Sequence, residues 1–218
     1  MKVIVFGASG MVGQGVLREC LVASDVESVL VVGRRPLGRS HEKLTELVHG
    51  DFADFSSVRE QLTGYDACFF CLGVSSVGMK EPEYTRITYD YTLAAARTLA
   101  EVNPGSTFVY VSGAGTDSTE KGKQMWARVK GKTENDVIAL PLHGYAFRPG
   151  YIQPLHGVTS PHRWMRITYG VFGKAYPLLN KVMPKATTTT EKLGLAMLHV
   201  ARTQPEQKVF YSTDFNAL

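Results

Sequence analysis

The chain has 218 residues, a net charge of +4, 44% hydrophobic content and three cysteines, Cys20, Cys68 and Cys71. That length and apolar share suit one packed domain and exclude a disordered chain, while Lys and Arg are spread without a run of five or six, which argues against nucleic acid as a partner. Three cysteines make neither a paired disulfide framework nor a zinc ligand set, and the six histidines show no ligand spacing, so no metal is expected. The chain opens on MKVIVFG and has no stretch of 18 uncharged apolar residues; the expectation is a cytoplasmic protein with no membrane span.

In chain order, short β-branched or aromatic runs alternate with longer segments of helical spacing, the pattern of a parallel sheet with crossover helices. Lys2 to Phe6 reads as a strand and Met11 to Val22 as a helix with Val12, Val16 and Leu17 on its buried face. Val29 to Val32 and Lys43 to His49 read as the next strands, Ser56 to Leu62 as a helix, and the uncharged Ala67 to Leu72 as a fully buried strand. A long helix follows from Pro82, apolar on one side through Tyr84, Ile87, Tyr91, Ala94, Ala95 and Leu99, and stops at Asn103 and Pro104. Thr107 to Val111 is a strand, Lys123 to Ala139 a helix, Tyr145 to Arg148 a strand and Thr190 to Ala201 a final helix. The fold class is therefore α/β, a Rossmann-type doubly wound parallel sheet in a single domain over 1–218, with 151–218 expected to supply a small substrate-binding cap.

Between the first strand and first helix stands GASGMVG, a G-x-x-G-x-x-G spacing at Gly7, Gly10 and Gly13. Gly7 allows a tight turn, Gly10 lets backbone approach a pyrophosphate, and Gly13 removes the side chain where helix meets strand. With Ser9, Met11 and Val12 between them, backbone N–H groups and the positive end of a helix dipole would face a dinucleotide's phosphates. An NAD site usually places Asp or Glu about 20 residues further on. Here Arg34 and Arg35 follow the second strand, and two guanidinium groups suit a 2′-phosphate, so the expected cofactor is NADP(H). A solvated basic turn is the plainer alternative.

The glycine turn, GRRP after the second strand, GDF at Gly50 to Phe52, CLG at Cys71 to Gly73, RITYDYTLAAA, VYVSGAG, ARVKGKTE and FRPG occur in the order found in atypical short-chain dehydrogenases. Over roughly residues 1 to 150 the chain resembles their NAD(P)-dependent epimerase/dehydratase-like group, on the branch that contains the human Tat-interacting oxidoreductase. The resemblance implies that Asp51 and Phe52 lie near the adenine, that Cys71, Leu72 and Gly73 line the path to the nicotinamide, and that Pro149, Gly150 and Ile152 face its carboxamide. Asp51 can equally cap the helix near residue 56. Cys68 and Cys71, three apart on a strand, point to opposite faces and are not expected to be a redox pair.

By the same resemblance Ser112 and Lys130 belong to the catalytic set, with Lys130 also holding the nicotinamide ribose. The family's catalytic tyrosine should stand four residues before that lysine, on the same helix face; this chain has Trp126 there, and an indole has no accessible ionisation with which to act as general acid. Three readings stay open. A reductase can take its proton through Ser112, water or Tyr84, Tyr89 or Tyr151; the protein can be a non-catalytic NADPH sensor; or the nucleotide can be structural. The substrate expected is a small apolar or aromatic molecule, held under a lid that includes Trp164, Met165, Tyr169 and Phe172. A homodimer through the helices of Tyr84 and Lys130 is a further expectation.

Overall fold

The computed structural model describes residues 1–158 and 186–217. In chain order it contains β1 (Lys2–Phe6), α1 (Met11–Val22), β2 (Ser28–Gly33), β3 (Leu44–Val48), β4 (Ala67–Phe70), α2 (Glu81–Thr85), α3 (Tyr91–Val102), β5 (Thr107–Val111), α4 (Met125–Ile138), β6 (His143–Arg148), β7 (Tyr151–Gln153), β8 (Thr187–Thr189), α5 (Thr190–Thr203), β9 (Val209–Tyr211) and α6 (Ser212–Ala217). Seven strands form one parallel sheet in the order β3-β2-β1-β4-β5-β6-β9, and β7 and β8 form a separate parallel pair. The order reverses between β1 and β4, which puts the doubly wound sheet's ligand crevice at the carboxyl ends of these two strands.

Alternation along the strands builds two cores. Val3, Val5, Val29, Val31, Phe69, Val109 and Phe147 face one side, beneath α1 and α5, while Ile4, Phe6, Leu30, Val32, Cys68, Phe70, Phe108 and Tyr110 face the other, beneath α3 and α4. Burial of a large apolar side chain contributes about 1.5–3 kcal/mol, so the central strands are committed to this arrangement from both faces. Cys68 sits in the second core and Cys71 packs against the first, all three thiols being free. Gly15 of α1 and Gly194 of α5 let the first pair of helices close: a Cβ at Gly194 would lie 2.7 Å from Glu19 Cγ.

Three differences from the sequence reading have physical causes. Ser56 to Leu62 is two short 3₁₀ turns rather than a helix; the first has Phe55 at its N-cap position with no side-chain cap, and it is Asp54 rather than Asp51 whose carboxylate accepts from the Ser56 N–H, at 2.8 Å. Between α2 and α3 the chain makes a π turn at Arg86–Asp90, which advances the helical phase by one residue. The buried face therefore runs through Tyr84, Thr88, Thr92, Leu93, Ala96 and Leu99, and Ile87, Tyr91 and Ala94 are left half-buried. The end of the chain is more than a cap: β9 extends the main sheet beside β6, and α5 covers α1's side of it. Short edge strands such as β9 carry too little alternation to be read from residue order alone. The lid residues Trp164, Met165, Tyr169 and Phe172 lie outside the described residues.

Candidate functional site

β1 ends at the glycine turn. Gly7 has φ of +76°, and a Cβ there would lie 2.6 Å from the Leu72 backbone nitrogen, so the turn is pressed against the residues after β4. A Cβ at Gly13 would overlap the Gly7 carbonyl, because this first turn of α1 rests on the glycine loop. Gly10 is the extended N-cap; its N–H donates to Gly7 O at 2.9 Å, and the first helical bond runs from Gln14 N–H to Gly10 O at 2.8 Å. The N–H groups of Met11, Val12 and Gly13 thus precede the first helical donor, Gln14. No side chain caps this end and no acidic residue occupies the first turn, while Ser9 is exposed and its carbonyl accepts from Gln14 Nε2 at 3.0 Å. This cradle fits an anion: its donors have no partner among the described residues, its dipole is positive, and backbone can approach closely.

On the neighbouring strand, β2 delivers Arg34 and Arg35 to the same edge. Both are exposed and neither makes an ion pair with a described residue. The turn behind them is closed by Glu46, which accepts from the Leu37 N–H at 2.6 Å. Asp51 is exposed and its carboxylate accepts from the Ala53 N–H at 2.9 Å, so it stabilises its own turn. Phe52 is buried, its ring edge-on to Phe6 at 6.0 Å and to Tyr91 at 6.1 Å, so the ring itself belongs to the core. Cys71 and Leu72 are half-buried and Gly73 exposed beyond β4, and burial pushes the Cys71 thiol well up, which makes it a poor nucleophile.

The second half of the edge is built by β5, β6 and α4. The Pro149 carbonyl accepts from the Ala114 N–H at 2.8 Å, Gly150 N–H donates to Ser212 Oγ at 3.0 Å, and Ile152 is buried on β7. Lys130 donates to the Ser112 carbonyl oxygen, and a Cβ at Gly113 would lie 3.8 Å from its Nζ, so the ammonium stands at the sheet's carboxyl edge. Burial pulls the Lys130 amine down to about 8, with the Glu134 carboxylate acting the other way. Trp126 is half-buried one turn earlier, its ring edge 3.2 Å from where a Gly115 Cβ would be.

Ser112 stands at the end of β5 as expected, but its hydroxyl is turned inward. It is buried and donates to Glu134 Oε1, with the Phe147 carbonyl 3.1 Å away. A serine has one O–H to donate, so the expected donation to a substrate carbonyl is not offered in this geometry. The other tyrosines are similarly engaged: Tyr84 is 1% exposed, Tyr89 donates to Asp136 at 2.6 Å, and Tyr151 donates to Gln153 at 3.0 Å. Sequence reasoning missed Glu134 and Arg148. Both stood in motifs already marked, ARVKGKTE and FRPG, and Glu134 lies one turn beyond Lys130 on the same helix face.

Comparison with known proteins agrees with this architecture. Residues 7–143 match a family described as NAD(P)H-binding. Protein HTATIP2 of Rattus norvegicus is 29% identical over 168 residues, which cover 75% of this chain and 68% of that protein. Protein FMP52, mitochondrial, of Debaryomyces hansenii is 28% identical over 196 residues, covering 85% of each. Among solved structures, a short chain dehydrogenase family protein from Francisella tularensis has the same fold, with a TM-score of 0.68 at 14% identity over 96% of this chain and 95% of that one. No helix among the described residues is long and apolar enough to cross a membrane. The chain belongs to the NAD(P)H-binding family, is similar in sequence to HTATIP2, and shares its fold with a short chain dehydrogenase family protein.

Proposed function

We propose that this protein binds NADP(H) in preference to NAD(H) and passes its hydride to a small apolar carbonyl compound, with quinones as the best-suited class. The observation that carries the cofactor choice is the exposed Arg34–Arg35 pair, free of described carboxylate partners, one strand away from the glycine turn. Charge-assisted, partly bidentate bonds from two guanidinium groups recognise a phosphate that NAD lacks. When bound, the nicotinamide supplies hydride; the chain's residues supply the cradle, Lys130 at the ribose side and the half-buried Trp126 as an apolar wall.

The quinone class follows from what the site withholds. An aldehyde or ketone needs a proton on oxygen as hydride arrives, and a positioned acid contributes about a hundred- to ten-thousand-fold. Trp126 cannot supply that proton, and the Ser112 hydroxyl is donated to Glu134. A quinone leaves as a phenolate-like anion, which water can protonate afterwards. Steady-state NADPH oxidation against quinones, aldehydes and ketones tests this: turnover is expected with quinones and little with the others, and Trp126→Tyr should raise aldehyde turnover by about a hundredfold.

The same inward Ser112 and the absence of a phenol at position 126 also favour a second reading, a non-catalytic NADPH sensor. That reading gains if the unmodified protein binds NADPH, oxidises none of the panel, and acquires turnover only as Trp126→Tyr. A cytoplasmic site of action and a homodimer belong to the proposal as well; cell fractionation tests the first, against a yeast relative named as mitochondrial, and sedimentation the second.

A further inference from the structure

Behind the open edge lies a buried charge network that the proposed hydride chemistry does not itself use. Glu134 is 1% exposed and Arg148 is 9% exposed. Arg148 Nε donates to Glu134 Oε1 at 3.0 Å and lies 3.1 Å from Oε2, while the outer guanidinium nitrogen donates to Oε2 and to Ser118 Oγ. Its remaining nitrogen reaches the Tyr211 hydroxyl at 3.3 Å. Glu134 then accepts the Ser112 hydroxyl, Ser112 N–H donates to Phe147 O at 2.8 Å, and the Ser112 carbonyl receives Lys130.

We propose that the Glu134–Arg148 ion pair is the positioning device for Lys130: it pins Ser112 from behind, and the pinned Ser112 carbonyl holds the ammonium at the nucleotide edge. The inference deepens the proposed function, on which it rests for what that ammonium meets. Three facts point to positioning rather than general adhesion. Taking two charges out of water carries a desolvation penalty that apolar residues would avoid, so a buried pair is a poor choice for stability alone. Arg148's outer nitrogens are taken by Ser118 and Tyr211, and Glu134, beyond its bonds to Arg148, accepts from Ser112 at the point where β5 ends. And Glu134 follows Lys130 by one helical turn, so the same carboxylate that orients Ser112 lies beside the ammonium.

Among the described residues, the ionisable groups packed around this face of α4 are Glu134 itself, Arg148 of β6 with the Tyr211 hydroxyl of β9 on its far side, and the buried phenols Tyr110 of β5 and Tyr84 of α2. Burial raises both phenols, which therefore stay neutral, and Arg148 stays cationic, its guanidinium tied to Glu134. The protonation of Lys130 is thus governed by desolvation, opposed by the Glu134 charge.

The test reads Lys130 directly in the nucleotide-free full chain, by pH-dependent acetylation of its peptide measured by mass spectrometry, alongside NADPH titration. Wild type should show a midpoint of about 8. Glu134→Gln should lower it by roughly one unit, because the neighbouring negative charge is gone. Ser112→Ala, which keeps the ion pair and should fold even if Glu134→Gln does not, should weaken NADPH binding roughly fivefold, the scale of one hydrogen bond. If both variants lose only thermal stability, with the Lys130 midpoint and NADPH affinity unmoved, the pair is mere adhesion and the proposal falls. If Ser112→Ala alone is available and leaves NADPH affinity unchanged, it falls equally. A midpoint that moves in a protein unable to bind NADPH would support the positioning device while overturning the proposed function.

Discussion

The two halves of the carboxyl edge use different materials. Around β1 and β2 the site is made of backbone and exposed side chains: three glycines, a helix start without a cap, and two arginines facing solvent. Around β5, β6 and α4 it is made of buried side chains that hold one another, and Lys130 is carried to the edge. The first half is suited to an anion by what it leaves out; the second fixes a cation by what lies beneath it. Loss of one glycine or one buried charge should therefore damage the protein in different ways, which gives the comparison its tests.

The largest effect belongs to the buried half. Glu134→Ala leaves Arg148 dehydrated and unpaired, and removing one partner of such a pair costs about 3–5 kcal/mol. Urea unfolding should show that loss as a lower midpoint; a change below about 1 kcal/mol would mean that water reaches Arg148. Next comes Gly13→Val, whose side chain would meet the Gly7 carbonyl and displace α1 from the loop. Overpacking of this kind costs about 1–3 kcal/mol, and binding of both NADPH and NADH should be lost together. Arg34→Ala should instead separate the two nucleotides, weakening NADPH by about 1.5–3 kcal/mol, the range for hydrogen bonds to charged groups, with little change for NADH.

The smallest and most specific effect is a slope. The folded protein lowers Lys130 from its usual 10.5 to about 8, so between those values the unfolded chain holds a proton that the folded one has released. Stability contributed by this group must then rise with pH from about 8 to 10.5 and be flat below. Lys130→Met should remove that rise in urea titrations. Over the same window the unmodified protein should bind NADPH less well, because the cation is being lost as the fold gains.

The nucleotide half was the more legible in sequence, since its function lies in residue types at fixed spacing. Glycines at 7, 10 and 13, β-branched residues before them and arginines after β2 all announce themselves locally, and the bounds of β1 and α1 agree with that reading. The buried half was legible only as motifs. Ser112 and Lys130 could be placed on their elements, but that the Ser112 hydroxyl points to Glu134 depends on β6 bringing Arg148 alongside, a contact between residues 14 apart in sequence. The π turn had the same invisibility: one extra residue in a helix moves the buried face from Ile87 to Thr88 without any change in composition. Long-range pairing and phase shifts are tertiary facts, whereas turns and strand runs are local ones.

The central claim is that the glycine cradle and the arginine pair together select a nicotinamide dinucleotide carrying the extra phosphate. Isothermal titration of the purified full chain with NADPH and NADH at matched ionic strength addresses it most directly. The expected result is binding of both, NADPH at least tenfold tighter, a difference of about 1.4 kcal/mol, and that difference abolished in Arg34→Ala. Equal affinities in the unmodified protein, or tighter binding of NADH, would contradict it.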